Sequence, residues 1–426
     1  MIATTMEKHI PAFKVLHRHH SFALLWSGQF VSALGDGIYK VALAWTVLQL
    51  TGSALALGAV IAATLVPTLL LMLLGGVAAD RLPRRQILLC SDAGRAVAVG
   101  VIAVLAALHV LQFWHLFVLA LLFGIADSFF SPAYQAFIPQ LVEVSLLQPA
   151  NSLVQFGFQL SRMVGPALGA IIVATMSGGT GAFVLDALSF AFSAGYLVAL
   201  RPPQQAALSP AQEQDIPSSK PRGGILADVR EGLRYVCGTR WLWVIILIAA
   251  FINITYSAPF ASALPKLVHD VYGGGPALFG LLVAADAAGS LIATIILGFV
   301  HIRRRGTMAY SVLLLCCLSL VLLGLPLPHV SEPIVATIAC ACAGFGLGFF
   351  SLIEMTLLQE FVPEQRLGRV ISLDMLGSYA LLPFGLLIIG GVTDIVGPAT
   401  IFIIGGLLSM ALVASGLCVR DIRTLA

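Results

Sequence analysis

Charged side chains are scarce in this 426-residue sequence, at 10% of all residues, whereas hydrophobic residues make up 59%. A soluble domain carries roughly 25% charged residues. So few charges cannot cover the surface of a folded chain of this size in water. The mean hydropathy of +0.99 agrees with this reasoning, and the composition predicts a membrane protein.

Signatures of several other protein classes are also missing. The seven cysteines have no metal-binding spacing and imply no disulfide framework, and all but Cys237 fall in apolar stretches. No Gly-x-x-x-x-Gly-Lys phosphate loop is present, so the sequence does not support ATP-driven transport. The basic residues are scattered through short loops rather than gathered on one face. We therefore expect no enzyme, no cofactor and no nucleic-acid partner.

Twelve stretches are long and apolar enough to cross a bilayer, which takes about 20 helical residues. The first six predicted helices are Phe22–Leu50, Leu55–Ala79, Gln86–Leu108, Trp114–Phe137, Ser152–Met176 and Gly181–Leu200. The second six are Trp241–Leu264, Ala277–Val300, Thr307–Leu325, Pro333–Gln359, Leu367–Thr393 and Pro398–Val419. Helix 1 is too long for the core of a cleavable signal peptide, which spans roughly 7–15 residues.

These stretches predict an all-α membrane protein with twelve transmembrane helices in two six-helix halves, residues 1–200 and 241–426. Residues 201–240 between them are rich in Gln, Ser and Pro and read as a linker. Within the linker, Ile225–Tyr235 is either a short amphipathic surface helix or a plain loop.

Lys and Arg residues favour one side of this arrangement. Nineteen of the 23, including Lys8 and Arg303, lie near the termini, in the linker or in the loops on the same side. The loops on the other side contain only Lys266. By the positive-inside rule, both termini and the linker are predicted to be cytoplasmic in a cytoplasmic membrane.

A faint internal repeat links the two halves. Gly58 and Gly76 of helix 2 match Gly280 and Gly298 of helix 8 at an offset of 222 residues. The same offset carries the Phe-Gly pair of helix 4 onto that of helix 10. Such parallel repeats build transporters whose halves rock about a site near the middle of the membrane.

The strongest local motif follows helix 2. It reads Gly76-Val-Ala-Ala-Asp80-Arg81-Leu-Pro-Arg84-Arg85. An acid and three bases in so tight a loop favour a charged hinge between helices 2 and 3. The alternative is a positive-inside anchor with no further role.

This loop resembles the signature Gly-x-x-x-Asp-Arg-x-Gly-Arg-Arg/Lys of the major facilitator superfamily, with Pro83 in place of the usual glycine. The resemblance implies the major facilitator fold and a latch between the halves. Asp80 would cap the start of helix 11 near Gly368–Ser372, and a loop arginine would pair with Asp127 of helix 4. The second-half counterpart has Ile302 in place of the acid, so the latch is expected on one side only.

Helix 5 contains Gly165, Pro166 and Gly169, a pattern similar to the Gly-Pro motif of facilitator-type antiporters. An ordinary Gly/Pro packing face is the alternative. Residues 25–36 and 131–139 are similar to one branch of the superfamily, which includes macrolide-efflux proteins, multidrug proton antiporters and enterobactin exporters. This resemblance implies export of a bulky amphiphile.

Four charges within the predicted helices are candidates for proton coupling or substrate binding, because a charge at the bilayer centre costs at least ~2.5–3.5 kcal/mol on insertion scales. Asp36 and Lys40, four residues apart on helix 1, form either a structural ion pair or a proton-coupling site. Arg162 is a candidate partner for Asp36 or for an anionic substrate group. Asp286, with alanines around it, ranks with Asp36 as a proton site.

Other charged residues are predicted to have simpler roles. Asp186 of helix 6 is expected to be solvated near the outer side. Asp92 and Arg95 are predicted to form a salt bridge at the cytoplasmic start of helix 3. A similar network is expected around the cytoplasmic ends of helices 10 and 11, from Glu354, Glu360, Asp374, Arg366 and Arg369.

The sequence therefore predicts a monomeric transporter in the lipid bilayer that exports an amphipathic small molecule in exchange for protons. One alternative is an exporter of a siderophore or lysolipid that uses Arg162 and Lys40 to hold an anion. An alternative of another class is a membrane receptor, a scaffold or a membrane-embedded transferase.

Overall fold

The structure is a computed structural model that describes residues 13–176, 179–200, 225–300, 302, 304–326 and 332–423. Every regular element in these ranges is helical. Lys8, Arg303 and linker residues 201–224 lie outside the described residues.

Twelve helices in the described part of the chain are long and apolar enough to span a membrane, as predicted. In the first half, α1 to α6 are His20–Thr51, Ala54–Arg81, Arg84–Ala107, Phe113–Phe137, Leu147–Thr175 and Thr180–Ala199. In the second half, α7 to α12 are Arg240–Asp270, Pro276–Phe299, Arg305–Gly324, Glu332–Phe361, 364–396 and Pro398–Cys418. The predicted fold class is confirmed.

Two of the spanning helices are irregular at mid-length. In α7 the α-helical turns give way to wider π turns at Asn253–Ser257 and Pro259–Ala263. In α11 a break separates Glu364–Tyr379 from Leu382–Val396. Pro383 explains the break, because a proline ring clashes with the carbonyl four residues earlier and offers no N–H to it.

The amphipathic surface helix considered for the linker is present and covers Ile225–Gly238. It lies against the start of α11, where Glu231 forms ion pairs with Arg366 at 3.3 Å and Arg369 at 2.8 Å. The Arg366 guanidinium also stacks over the Tyr235 ring, 5.2 Å from its centroid. This helix is therefore fastened to the second half.

The bundle has two chemically different ends. At the one we call the basic end lie the short helix Phe13–Arg18, the α2–α3 loop, the Ile225–Gly238 helix and the C-terminal turn. The other, which we call the opposite end, holds the α1–α2 and α11–α12 connections. An ion pair between Arg305 and Glu360 ties two connections together at the basic end.

The halves contact each other along two seams, α2 with α11 and α5 with α8. Glycines permit the close approach: a Cβ on Gly390 would lie 2.7 Å from the carbonyl oxygen of Ala54, and one on Gly280 would lie 2.7 Å from that of Pro166. The first half of α11, before its break, packs instead against α7 and the Ile225–Gly238 helix. The tight contacts thus lie toward the opposite end.

Candidate functional site

A cavity of about 610 Å³ runs through the first half from mid-membrane depth toward the basic end. Asp36, near the middle of α1, marks its inner part, and Gln135 and Asn151 lie where α4 ends and α5 begins. Its lining is mixed: carboxylates and amides alternate with the rings of Phe130, Tyr134 and Phe158. Such a surface suits a ligand with both polar and apolar parts.

A buried arginine organises the charges beside this cavity. Arg95 of α3 is only 3% exposed and forms ion pairs with Asp92 and, at 3.3 Å, with Asp127 of α4. Its guanidinium lies between the rings of Phe130 and Phe190, 4.2 Å and 4.6 Å from their centroids. Cation–π contact of this kind stabilises a guanidinium removed from water.

Polar side chains complete the coordination of Asp92, which is fully buried. The Ser193 hydroxyl donates to its carboxylate at 2.7 Å and the Gln29 amide at 3.2 Å. The predicted Asp92–Arg95 pair therefore exists, but in the interior of the first half and not at the cytoplasmic surface. Helices α1, α3, α4 and α6 all contribute to this network.

The loop arginines bind backbone carbonyls, so the predicted pairing of one of them with Asp127 is not found. Arg84 donates to the carbonyl of Ala136 at 2.6 Å, near the end of α4. Arg85 donates to the carbonyls of Leu197 and Val198, each at 2.7 Å, near the end of α6. The last carbonyls of a helix lack intrahelical partners and carry partial negative charge, so they compete well for a guanidinium.

Asp36 and Lys40 form no ion pair within 4 Å in the described structure, although both are on α1 as predicted. Asp36 lines the cavity, and its charged neighbours include Arg95 and Asp127 besides Lys40. Lys40 itself is exposed. Asp36 thus lies beside the Arg95 network, which sequence reasoning did not include in the site.

Asp186 is fully buried on α6, which corrects the expectation of a solvated residue. The Ser189 hydroxyl is 3.3 Å from one carboxylate oxygen, and the other oxygen has no hydrogen-bond partner among the described residues. Asp36 is among its charged neighbours. The backbone of α1 at Gly35 packs directly against it, which excludes water from that side.

Asp286 lies on α8 near the seam with α5. Across the seam, Arg162 of α5 is a positively charged neighbour that attracts the Asp286 carboxylate. Asp286 was not among the partners predicted for Arg162, which were Asp36 and an anionic group of the substrate. The backbone of α10 at Gly344 contacts the backbone of Asp286, so this acid sits where three helices from both halves converge.

The charged residues predicted to form one salt-bridge network around α10 and α11 pair with other partners instead. Glu360 pairs with Arg305, and Arg366 and Arg369 both pair with Glu231. Glu354 and Asp374 are left as charged neighbours of each other. One oxygen of Glu354 is buried and has no hydrogen-bond partner among the described residues. The sequence could not show this, because the linker helix supplies the competing carboxylate.

The acid of the signature loop, Asp80, has no partner among the described residues. Asp80 and Arg81 are exposed, and Asp80 forms no hydrogen bond with any residue that the structure describes. A Cβ on Gly76 would meet nothing within 4 Å, so no described residue packs closely against that position. The predicted cap of α11 by Asp80 is thus not formed in this conformation, and α11 begins after Pro363, which provides no side-chain acceptor.

At the opposite end the seam is closed by Asp394 near the end of α11. Its carboxylate accepts hydrogen bonds from the Ser53 hydroxyl at 2.5 Å and from the backbone N–H of Ala54 at 2.9 Å and of Leu55 at 3.1 Å. Lys266 of α7 pairs with it at 2.5 Å. Sequence reasoning missed this site, although Lys266 was the only base in the loops on that side.

The antiporter-like motif fastens α5 to α1. A Cβ added to Gly165 would lie 2.8 Å from the Cα of Gly37, and one added to Gly169 would lie 2.8 Å from the Cα of Ile38. Pro166 of the same motif faces α8, where its carbonyl oxygen meets Gly280. The motif therefore packs against helices of both halves.

Among the described residues, no group of three or more His, Cys, Asp or Glu side chains could hold a metal ion. The arrangement consists of a cavity, a buried charge network beside it and two seams between the halves. These are features of a protein that binds a solute at mid-depth and exposes it to one side at a time.

Comparison with known proteins identifies the family. Residues 25–384 match the Major Facilitator Superfamily. The multidrug efflux pump Tap of Mycobacterium tuberculosis is 30% identical over 415 residues, which cover 96% of this chain and 92% of Tap. Macrolide efflux protein A of Streptococcus pyogenes is 24% identical over 95% of this chain and 97% of its own length.

Solved structures show the same fold. The peptide transporter POT in complex with sulfate has a TM-score of 0.73 at 14% identity, covering 96% of each chain. A bacterial homologue of the iron transporter ferroportin in its inward-facing state has a TM-score of 0.67 at 16% identity, covering 93% of this chain and 98% of its own. The receptor, scaffold and transferase alternatives are therefore set aside: the chain belongs to the Major Facilitator Superfamily and is a transporter.

Proposed function

We propose that this transporter exports amphipathic small molecules from the cytoplasm in exchange for protons, as a monomer in the cytoplasmic membrane. The observation that carries the proposal is the cavity in which Asp36 adjoins the Arg95 network while aromatic rings line the path to the basic end. Similarity to Tap and to macrolide efflux protein A along nearly the whole chain supports efflux as the direction.

The orientation follows from the distribution of basic residues. With the positive-inside rule, the basic end faces the cytoplasm. The cavity then opens inward, and the seams closed near Asp394 and Gly280 separate it from the outside. A substrate would enter this conformation from the cytoplasm or from the inner leaflet.

Proton coupling would act through a change of ionic partners in the first half. Arg95 divides its donors between Asp92 and Asp127, and Asp36 lies beside it as a third acid. When Asp36 is ionised, its negative charge attracts a cationic group of the substrate. Protonation of Asp36 removes that charge and weakens binding, so protons from outside promote release.

The second half would sense the same event through Asp286. This acid faces Arg162 across the α5–α8 seam, so protonation of Asp286 would weaken an attraction between the halves. A charge in apolar surroundings is costly when it has no partner. Protonation of Asp286 would leave Arg162 without its partner, and this favours rearrangement of the seam.

The test is transport into proteoliposomes with and without a pH gradient, using cationic dyes and macrolides as probes. We expect the gradient to accelerate uptake in the wild type, and the Asp36→Asn variant to lose at least about tenfold of the gradient-driven rate, a barrier change of about 1.4 kcal/mol. Glu143→Gln is the control, since Glu143 forms only an exposed pair with Arg18. A gradient without effect on any probe would refute proton coupling.

Export of an anionic amphiphile, such as a siderophore or a lysolipid, is the second candidate. The exposed side chains of Lys40 and Arg162 favour it, since either could hold an anionic group. Competition between anionic and cationic probes distinguishes the two. If only anions compete, and Arg162→Gln abolishes that competition, the second candidate replaces the first.

A further inference from the structure

Asp186 is a buried acid that the proton coupling proposed above does not use. Its side chain is fully buried on α6 and is not part of the cavity lining. One carboxyl oxygen has no hydrogen-bond partner among the described residues, and the other has only the Ser189 hydroxyl, at 3.3 Å. An ionised carboxylate would therefore stand in the interior of the first half without the hydrogen bonds that a buried charge needs.

The contact with Ser189 indicates where the proton lies. A hydroxyl group has a single proton to donate, and the Ser189 hydroxyl is 2.8 Å from the backbone carbonyl oxygen of Asp186. With its proton donated to that carbonyl, Ser189 can take part in the longer contact only as an acceptor. The carboxyl group must then be the donor, so the geometry favours a protonated, uncharged Asp186.

The charges around Asp186 come from the two helices that pack most extensively against α6, which are α1 and α3. Asp36 of α1 disfavours a second negative charge at this position, whereas Arg95 of α3 and Lys40 of α1 attract one without contacting it. Arg162, the one charged residue of α5, lies instead at the α5–α8 seam. Two neighbouring acids are not easily ionised together, so a proton on Asp186 allows Asp36 to be ionised.

Two further buried polar groups continue from Asp186 toward the opposite end. Gly35 packs against Asp186, and Tyr39 and Thr46 follow it by four and eleven residues, on the same face of α1. The hydroxyl groups of Tyr39 and Thr46 are buried and have no hydrogen-bond partner in the described part of the chain. Thr46 lies against Gly179, just before the start of α6. The row spans about 16 Å along α1.

Aromatic contacts hold the middle of this row in place. The Tyr39 ring stacks on Phe123 with 5.6 Å between centroids and meets Phe183 edge-on at 5.9 Å. Asp186 and Asp36 are both charged neighbours of its hydroxyl group. Buried polar groups are normally satisfied by a protein partner or by buried water. Because hydroxyl groups and water both donate and accept hydrogen bonds, such a row is suited to the passage of protons.

We propose that Asp186 is the proton donor to Asp36, and that Thr46 and Tyr39 mark the route by which protons reach Asp186 from the opposite end. The donor role rests on the proposed function, in which Asp36 is the coupling acid and the opposite end faces outward. While the cavity is open at the basic end, Asp186 keeps its proton and the ionised Asp36 binds the substrate.

The proton moves when the opposite end opens. It leaves the Asp186 carboxyl group for the Asp36 carboxylate, which loses its negative charge and releases the substrate. The Asp186 carboxylate then takes one proton from outside water, relayed by the hydroxyl groups of Thr46 and Tyr39, each of which gives up one proton and receives one. After the return to the first conformation, Asp36 releases its proton into the cavity, so one proton enters the cell in each cycle.

Infrared difference spectroscopy of the purified full-length protein tests whether Asp186 holds a proton. A protonated carboxyl group has a C=O stretching band that a carboxylate lacks, and the band shifts in deuterium oxide. At neutral pH we expect this band to be weaker in Asp186→Asn than in the wild type. Glu143→Gln is the control and should leave the band unchanged, since the Glu143 side chain is 57% exposed. Equal bands in Asp186→Asn and the wild type would show an ionised Asp186 and overturn the proposal.

Uptake of a cationic dye into proteoliposomes tests the donor role. The amide of Asp186→Asn can still donate to the Ser189 oxygen, so this variant should fold and should transport the dye down its own gradient at the wild-type rate. It should lose at least about tenfold of the uptake driven by a pH gradient, the lower range for a positioned proton donor. A structural role alone would lower both rates together and would overturn the proposal.

The hydroxyl groups of the route are tested in the same assay. Tyr39→Phe and Thr46→Val should each lower the uptake driven by a pH gradient, by less than Asp186→Asn does, because water can replace one hydroxyl group. Tyr310→Phe is the matched control: its hydroxyl group is also buried without a described partner, but it lies in the second half. This variant should match the wild type. Equal losses in Tyr39→Phe and Tyr310→Phe would overturn the route.

Failure of the donor role can be distinguished from failure of the proposed function. If the pH gradient does not accelerate uptake by the wild type, the proposed function is wrong and the donor role falls with it. If the wild type responds, Asp36→Asn does not, and Asp186→Asn responds in full, the proposed function stands and Asp186 is not the donor.

Discussion

At the scale of single residues, ion-pair partners distinguish this structure from a generic bundle of apolar helices. Arg95 and Asp92 are almost completely buried. Arg95 pairs with both Asp92 and Asp127, and Asp92 also accepts hydrogen bonds from Ser193 and Gln29. A buried ion pair adds little net stability over apolar packing, but removal of one partner leaves an uncompensated charge. The network should therefore tolerate loss of either charge poorly.

Arg95→Gln should destabilise the protein by about 3–5 kcal/mol, because Asp92 then remains buried without its cation. The measurement is the unfolding midpoint in detergent, by differential scanning fluorimetry. Arg18→Gln is the control: its pair with Glu143 at 3.6 Å is exposed, and such pairs contribute about 0–1 kcal/mol. Equal midpoints for the two variants would show that Arg95 does not balance a buried charge.

Asp127 and the loop arginines show why residue-scale pairing is hard to predict. Arg84 and Asp127 have opposite charges and lie on adjacent helices, yet Arg84 binds the carbonyl of Ala136. Arg95, which lies further along α3 than Arg84, pairs with Asp127 instead. Only the depth of each side chain in the bundle decides between these partners.

At the scale of helices, glycine positions decide how closely neighbours approach. Gly165 and Gly169 place the backbone of α5 against that of α1, at separations that exclude a Cβ. The sequence pattern alone supported both an antiporter motif and a packing face, and the contacts explain the packing role directly. In this motif the two roles need not be exclusive, because Pro166 also contacts the other half.

Gly165→Ala should destabilise the protein by about 1–3 kcal/mol, because its added Cβ would lie 2.8 Å from the Cα of Gly37. Gly195→Ala on α6 is a matched control, since its Cβ would meet nothing within 4 Å. That substitution should be neutral or should stabilise the helix by up to about 1 kcal/mol. The measurement is the thermal unfolding midpoint of both variants. A midpoint for Gly195→Ala below that of Gly165→Ala would contradict the packing argument.

At the scale of the whole molecule, the structure is accessible from one end. The cavity reaches the basic end, while both seams are tight toward the opposite end. One experiment can test both the predicted orientation and the end at which the cavity opens. Together they determine from which side of the membrane a water-soluble reagent enters the cavity.

Asn151→Cys, at the mouth of the cavity, should react with a membrane-impermeant maleimide at least about tenfold faster in inside-out vesicles than in right-side-out vesicles, a difference of about 1.4 kcal/mol. Val110→Cys is the control for the other face: Val110 is 50% exposed in the α3–α4 connection at the opposite end. It should show the reverse preference. Rates are compared with the parent protein, which retains its seven native cysteines. Faster labelling of Asn151→Cys from outside would reverse the orientation.

The sequence by itself determined the membrane class, the twelve spans, the repeat and the family. These properties depend on local composition, because a bilayer sets the length and polarity of each helix that crosses it. For Ile225–Tyr235 the local pattern left a surface helix and a plain loop open, and the structure decides for the helix. The Asp80 loop was recognisable because its motif lies within ten consecutive residues.

The tertiary structure alone decided which charges meet. Asp394 contacts the start of α2 across 339–341 residues of chain, Asp186 is sealed against α1, and Glu231 binds the arginines that had been assigned to the acids of α10 and α11. Electrostatic attraction falls with distance and depends on burial. Both quantities are set by how twelve helices pack and by which end of the transporter is closed, and neither is encoded in any local stretch of sequence.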